Sequence, residues 1–126
     1  MLVRGEVGAL PDLVFAAAAE PPRLAEWLPE PLAVVGVNGD VLIVSVAGRP
    51  RQFRVLADFD RLELTWEPLA EGGPGARLRA ELAGVGGSVV QLELDCDGVP
   101  DGELGELAAR LLVALGKSVE RELAQD

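Results

Sequence analysis

The chain has 126 residues, enough for one core-forming domain and too few for two, so residues 1–126 are expected to fold as a single unit. It carries 21 acidic against 11 basic residues, a net charge of −10, and the basic residues are spread from Arg4 to Arg121. That balance argues against nucleic acid and against anionic lipid surfaces as partners. With no histidine, no tyrosine and one cysteine, Ser-His-Asp and Cys-His catalysis, histidine-ligated metals and an intramolecular disulfide are all excluded.

Hydrophobic residues make up 49% of the chain, yet no apolar run approaches the roughly 18 residues of a membrane-spanning helix. The opening Met1-Leu-Val-Arg-Gly-Glu has no basic region followed by an apolar stretch, so no secretory signal is expected. A lone Cys96 fits a reducing compartment, and a cytoplasmic location without membrane insertion is the expectation.

Leu2 to Val7 alternates as a strand. Pro11 and Asp12 suit a first helical turn, and Val14, Phe15, Ala18 and Ala19 then share a face at 3.6-residue spacing. Pro21-Pro22 ends that helix and opens a second, Arg23 to Leu28, with Leu24, Trp27 and Leu28 on one side. From Leu32 the texture becomes β. Leu32 to Val37 and Val41 to Val46 flank Asn38-Gly39-Asp40, a hairpin signal because Asn-Gly accepts positive φ. Ala47 to Pro50 reads as the next turn. Gln52 to Phe59 and Leu62 to Glu67 alternate cleanly, Pro68 to Gly75 is a loop, and Arg77 to Leu82 pairs with Val89 to Cys96 around Gly84-Val-Gly-Gly87. A closing helix, Glu103 to Ala124, carries the apolar stripe Leu104, Leu107, Ala108, Leu111, Leu115, Val119 and Leu123. Gly105, Ala109 and Gly116 lie near one side of it, where close packing or room for a ligand explains helix-interior glycine.

Strand, two short helices, six strands and a long final helix make an order that resembles the START-like superfamily. That is the broad SRPBCC group containing polyketide cyclase/dehydrase-like and birch-pollen-allergen-like proteins. The resemblance spans essentially the whole chain. It is carried most specifically by Val14-Phe15, Glu20-Pro21-Pro22, Leu24 and Trp27, and supported by Phe53-Arg-Val, Leu62-Glu-Leu-Thr-Trp66 and Gly87-Ser-Val-Val. It implies an α+β helix-grip fold: a curved antiparallel sheet of about seven strands around the C-terminal helix, with two short helices after the first strand. It also implies binding of a lipid-, polyketide- or quinone-like molecule, with cyclisation or dehydration in some members.

In a half-buried strand one register faces inward. Taking the apolar register as inward makes Phe53, Val55, Ala57, Leu64, Trp66, Leu78, Ala80, Leu92 and Leu94 cavity-lining candidates on the sheet, with Phe59 and Leu82 on the same side. Phe15, Trp27, Leu111, Leu115 and Val119 are the candidates on the helices, and Leu111 and Leu115 are expected over the strands carrying Val55 and Leu64. The strand charges, Asp95 among them, then fall on the outer face. Trp27 reads equally as a core filler with one indole partner or as a flat cavity wall, and Trp66 reads somewhat more as a core filler. No catalytic residue can be named. Arg4, Glu6, Ser45, Arg51 and Asp58 are rim positions more often structural than catalytic.

The leading expectation is therefore a binder of a small hydrophobic molecule, with no cofactor, no metal and no nucleic-acid partner, and with a homodimer left open. Two alternatives stand beside it. One is a cyclase/dehydratase-type enzyme acting mainly by cavity shape. The other is a protein-interaction module with a filled core, which a contiguous exposed apolar patch would favour.

Overall fold

The computed structural model describes residues 1–30, 32–70, 74–96 and 99–125; the middle of the Pro68–Gly75 loop lies outside them. The elements run β1 (Leu2–Val7), α1 (Pro11–Ala19), α2 (Pro21–Trp27), β2 (Leu32–Asn38), β3 (Val41–Val46), β4 (Arg49–Asp58), β5 (Glu63–Pro68), β6 (Gly75–Ala83), β7 (Gly87–Asp95) and α3 (Asp101–Gln125). All seven strands join one curved antiparallel sheet in the order β1-β7-β6-β5-β4-β3-β2.

Local chemistry sets the joints. Pro11 and Pro21 each occupy a first helical turn, where the missing N–H costs nothing. Between the two helices, the Glu20 N–H still reaches the Ala16 carbonyl at 3.1 Å while its own carbonyl accepts from Leu24 at 2.9 Å. The β3–β4 hairpin is tighter than its sequence implies. Ala47 and Gly48 both take positive φ, 52° and 84°, as a two-residue primed turn requires. Arg49 and Pro50, expected in the turn, therefore belong to β4 and lie opposite Val46 and Ser45. Pro50 is tolerated because Val55 and its odd-numbered neighbours bond to β3, so the lost N–H faces the β5 side. There the last bond is from Leu69 N–H to the Gln52 carbonyl, at 3.1 Å.

The helices do not cover the sheet evenly. α3 lies against β1 and β7, and α1 against β5, β6 and β7; the seven-residue α2 reaches the sheet at β2. Small residues let α3 approach β1. A Cβ on Gly5 would sit 3.3 Å from Leu112 Cδ1, one on Gly105 3.2 Å from Met1 Cε and one on Gly116 3.6 Å from Val7 Cγ2. Close packing against Met1 thus favours glycine at 105, whereas at 116 a Cβ would make ordinary contact with Val7. α3 seats mainly on β1 and β7, while its Leu111 and Leu115 share one apolar cluster with Leu64, against which Val55 packs.

Two apolar clusters result. The larger joins α1 and α3 to β1, β5, β6 and β7 around Phe15, Leu64, Leu78, Val90, Leu115 and Val119. The smaller holds Leu24, Leu42, Val44 and Phe53, with Trp27, Val55 and Trp66 packed against both.

Candidate functional site

Between the clusters the sheet and α3 diverge, leaving a cavity of about 710 Å³. Eight of the residues nominated from sequence border it: Trp27, Phe53, Trp66, Leu78, Leu92, Leu94, Leu111 and Leu115. Six do not. Phe15, Leu64 and Val119 are sealed in the larger cluster. Ala80 is buried away from the cavity, and Val55 packs between the clusters without bordering it. Ala57 is exposed, as are Phe59 (67%) and Leu82 (66%). These last positions keep the inward register, but the ends of β4 and β6 run past the helices that would cover them. Phe59 is met only on one side, by the edge of the Phe15 ring at 5.1 Å.

The wall that sequence reasoning missed comes from α2, β2 and β3: Leu24, Leu28, Leu32, Leu42, Val44 and Val46. β3 reads Val41-Leu-Ile-Val-Ser-Val46, apolar at nearly every position, so alternation alone cannot tell its faces apart. Pairing does. Leu42 stands opposite Phe53 and Val44 opposite Arg51.

Trp27 combines its two readings, since it borders the cavity while its indole N–H donates to the Ala17 carbonyl at 3.0 Å. That bond fixes the ring as a preformed wall. The exposed lining residues make the rim: Arg51 from β4, Asp95 from β7, and Glu103, Glu106 and Arg110 from α3, with half-buried Cys96 beside them. Asp95 corrects the expectation that every strand charge avoids the cavity. Arg51 shares the strand face of Phe53, two residues on. Arg110 spans the opening and donates to the Glu30 carbonyl at 3.2 Å, tying α3 to the chain after α2. A second hollow of about 350 Å³ between α2 and α3 is lined by Glu26, Trp27, Ala114, Ser118, Arg121 and Glu122. Arg23 bridges Glu20 and Glu122 beside it.

Among the described residues no cluster of acidic or thiol side chains is arranged to hold a metal ion. No helix is long and apolar enough to cross a membrane. Elsewhere on the sheet the charges pair with one another, Arg54 with Asp40 at 3.7 Å and Arg79 with Glu63 and Glu81 at 3.8 and 3.2 Å. Such exposed pairs contribute at most about 1 kcal/mol each. What the site offers chemically is a largely apolar volume with charge confined to its mouth.

No protein-family model and no curated protein matches the chain by sequence. Solved structures match in shape. The chain is similar to the di-domain ARO/CYC protein StfQ from the steffimycin biosynthetic pathway, with a TM-score of 0.75 and 13% identity, over 98% of this chain and 46% of that one. It thus spans about half the length of StfQ. It is also similar to a START superfamily protein from Mycobacterium smegmatis, with a TM-score of 0.63 and 18% identity, over 99% and 97% of the two chains. The Aha1 dimer from Colwellia psychrerythraea gives 0.71 and 16%, over 95% of each. The fold is START-like: a seven-stranded curved antiparallel sheet gripping a long C-terminal helix, with two short helices after the first strand.

Proposed function

We infer that the protein binds a small hydrophobic molecule, of lipid, polyketide or quinone type, in the cavity between the sheet and α3, with residues 1–126 acting as one unit. One observation carries this reading. A volume of about 710 Å³ is walled by apolar side chains from eight elements, in the size range of small-molecule sites. A core filled to normal density leaves few voids larger than a water molecule. Burying the apolar surface of a ligand contributes about 25 cal/mol per Å², and the preformed wall at Trp27 lowers the ordering cost. The cavity weighs against the filled-core interaction module, which has no use for such a volume. Native mass spectrometry of protein purified from its own host should show a retained small molecule. Apo protein that also refuses every neutral apolar probe would overturn the reading.

A second reading, an enzyme of the cyclase/dehydratase type, is favoured by the rim. Arg51, Asp95, Glu103 and Glu106 supply polar and titratable groups at the edge of a water-excluding cavity, which the middle strands do not. A ligand recovered unchanged after prolonged incubation would argue for binding alone.

A further inference from the structure

The Arg49-Pro-Arg51 doublet is a basic pair set at the mouth of the cavity. Both arginines occupy the same face of β4 as Phe53, so going outward along the strand the side chains pass from a buried ring to two guanidiniums. Arg51 borders the cavity opposite Val44, and Arg49 stands opposite Val46, itself a cavity wall. Their positions on the strand are roughly 7 Å apart. In a chain with 21 acidic residues to 11 basic ones, neither has an ion-pair partner among the described residues, whereas Arg23, Arg54 and Arg79 all do. The acidic groups of the mouth that α3 contributes, Glu103 and Glu106, stand on the opposite wall. Asp95 on β7 and Arg110 on α3 complete the rim, but Arg110 already donates to the Glu30 carbonyl, so the basic groups at the mouth with no partner among the described residues are those of β4.

We propose that Arg51, backed by Arg49, receives the anionic head of an amphiphilic ligand, a carboxylate or a phosphate monoester, whose apolar body fills the cavity. The proposal rests on the hydrophobic-ligand reading above and adds the class of ligand to it. Guanidinium is always charged and presents a planar fork of donors that matches both head groups. Along α3, Glu103 and Glu106 disfavour such a head and the Arg110 guanidinium is already engaged by the Glu30 carbonyl, while the apolar walls beyond Phe53 accept only the uncharged tail. A neutral ester of the same body lacks the charge and gains at most a hydrogen bond to its carbonyl. The protein should then discriminate by charge as well as by shape.

Trp27 and Trp66 both border the cavity, so their fluorescence reports its occupancy. Lauric acid, methyl laurate and dodecyl phosphate, titrated below their aggregation limits at neutral pH, share a tail and differ in head. Expected is at least about tenfold tighter binding of the acid or the phosphate than of the ester, the scale of a charge-assisted hydrogen bond. Arg51→Met should bring the acid-to-ester ratio towards one, and Arg49→Met should reduce the phosphate preference more than the acid preference. A wild-type preference for the phosphate would assign both arginines to the head, and a preference for the acid would assign Arg51 alone. Equal binding of all three ligands, or an Arg51→Met ratio unchanged from wild type, overturns the proposal while leaving the hydrophobic site standing. Binding of none of them overturns both.

Discussion

The two halves of the molecule use the same sheet and similar side chains to opposite ends. In the closed half, α1 and α3 press onto the sheet until Phe15, Leu64 and Val119 are at most 1% exposed. Around the cavity, bounded by the short α2, by the strands and by α3, Trp27, Trp66 and Val46 stay half-buried beside open volume. Hydrophobicity does not separate the halves. Helix length and the glycine contacts that pull α3 onto β1 do. The lesson is that an apolar strand face becomes core or cavity according to how closely a helix can approach it.

Two phenylalanines give the largest test of that contrast. Phe15 is sealed in the closed half; Phe53, 8% exposed, borders the cavity. Truncation of a buried phenylalanine to alanine typically costs about 3–5 kcal/mol, part of it from the void created. Phe15→Ala should fall at the upper end, because its void is new. Phe53→Ala should cost about 1 kcal/mol less, because its void merges with space already there. Chemical denaturation measures both, and equal losses would break the contrast. A smaller effect follows at Ala80, 3% exposed in the closed half. Ala80→Trp has no space to enter and should destabilise by about 1–3 kcal/mol through overpacking.

Much of this was legible in the residues and some was not, for identifiable reasons. Alternation places Phe53, Leu78, Leu92 and Leu94 on the concave face, because polar neighbours at every second position leave one register available. Pro11, Pro21 and Gly39 mark their joints because each has a conformational requirement that local sequence states outright. Coverage is different. That Ala57 and Leu82 lie bare while Ala80 is buried depends on where α1 and α3 end in space, and no local pattern encodes it. β3 hides its wall residues by being apolar on both faces. Arg49 and Pro50 looked like a turn because proline disfavours strands; the structure shows a strand end that, among the described residues, has no paired neighbour on the side where the N–H is missing. The positive φ of Leu62, 54°, likewise comes from closing the β4–β5 connection, where the Asp58 carboxylate accepts from the Asp60 and Arg61 N–H groups at 3.1 Å each.

The smallest expected change in stability gives the sharpest test of the contrast. Ala76 is half-buried on β6, opposite Leu94 and Trp66, and borders the cavity four residues before Ala80 on the same strand face. Ala76→Trp places its ring where about 710 Å³ is already open, so no packed neighbour has to move. Stability should change by less than about 1 kcal/mol, and the added apolar contacts offset part of the lost side-chain freedom. Uptake of a neutral apolar probe should meanwhile fall sharply, because the ring occupies the ligand's volume. Ala80→Trp should show the reverse, reduced stability with probe uptake per folded molecule close to wild type. The two substitutions differ only in which half of one strand they enter. If Ala76→Trp destabilises as much as Ala80→Trp, the volume beside β6 is not free in solution, and the two halves are packed alike.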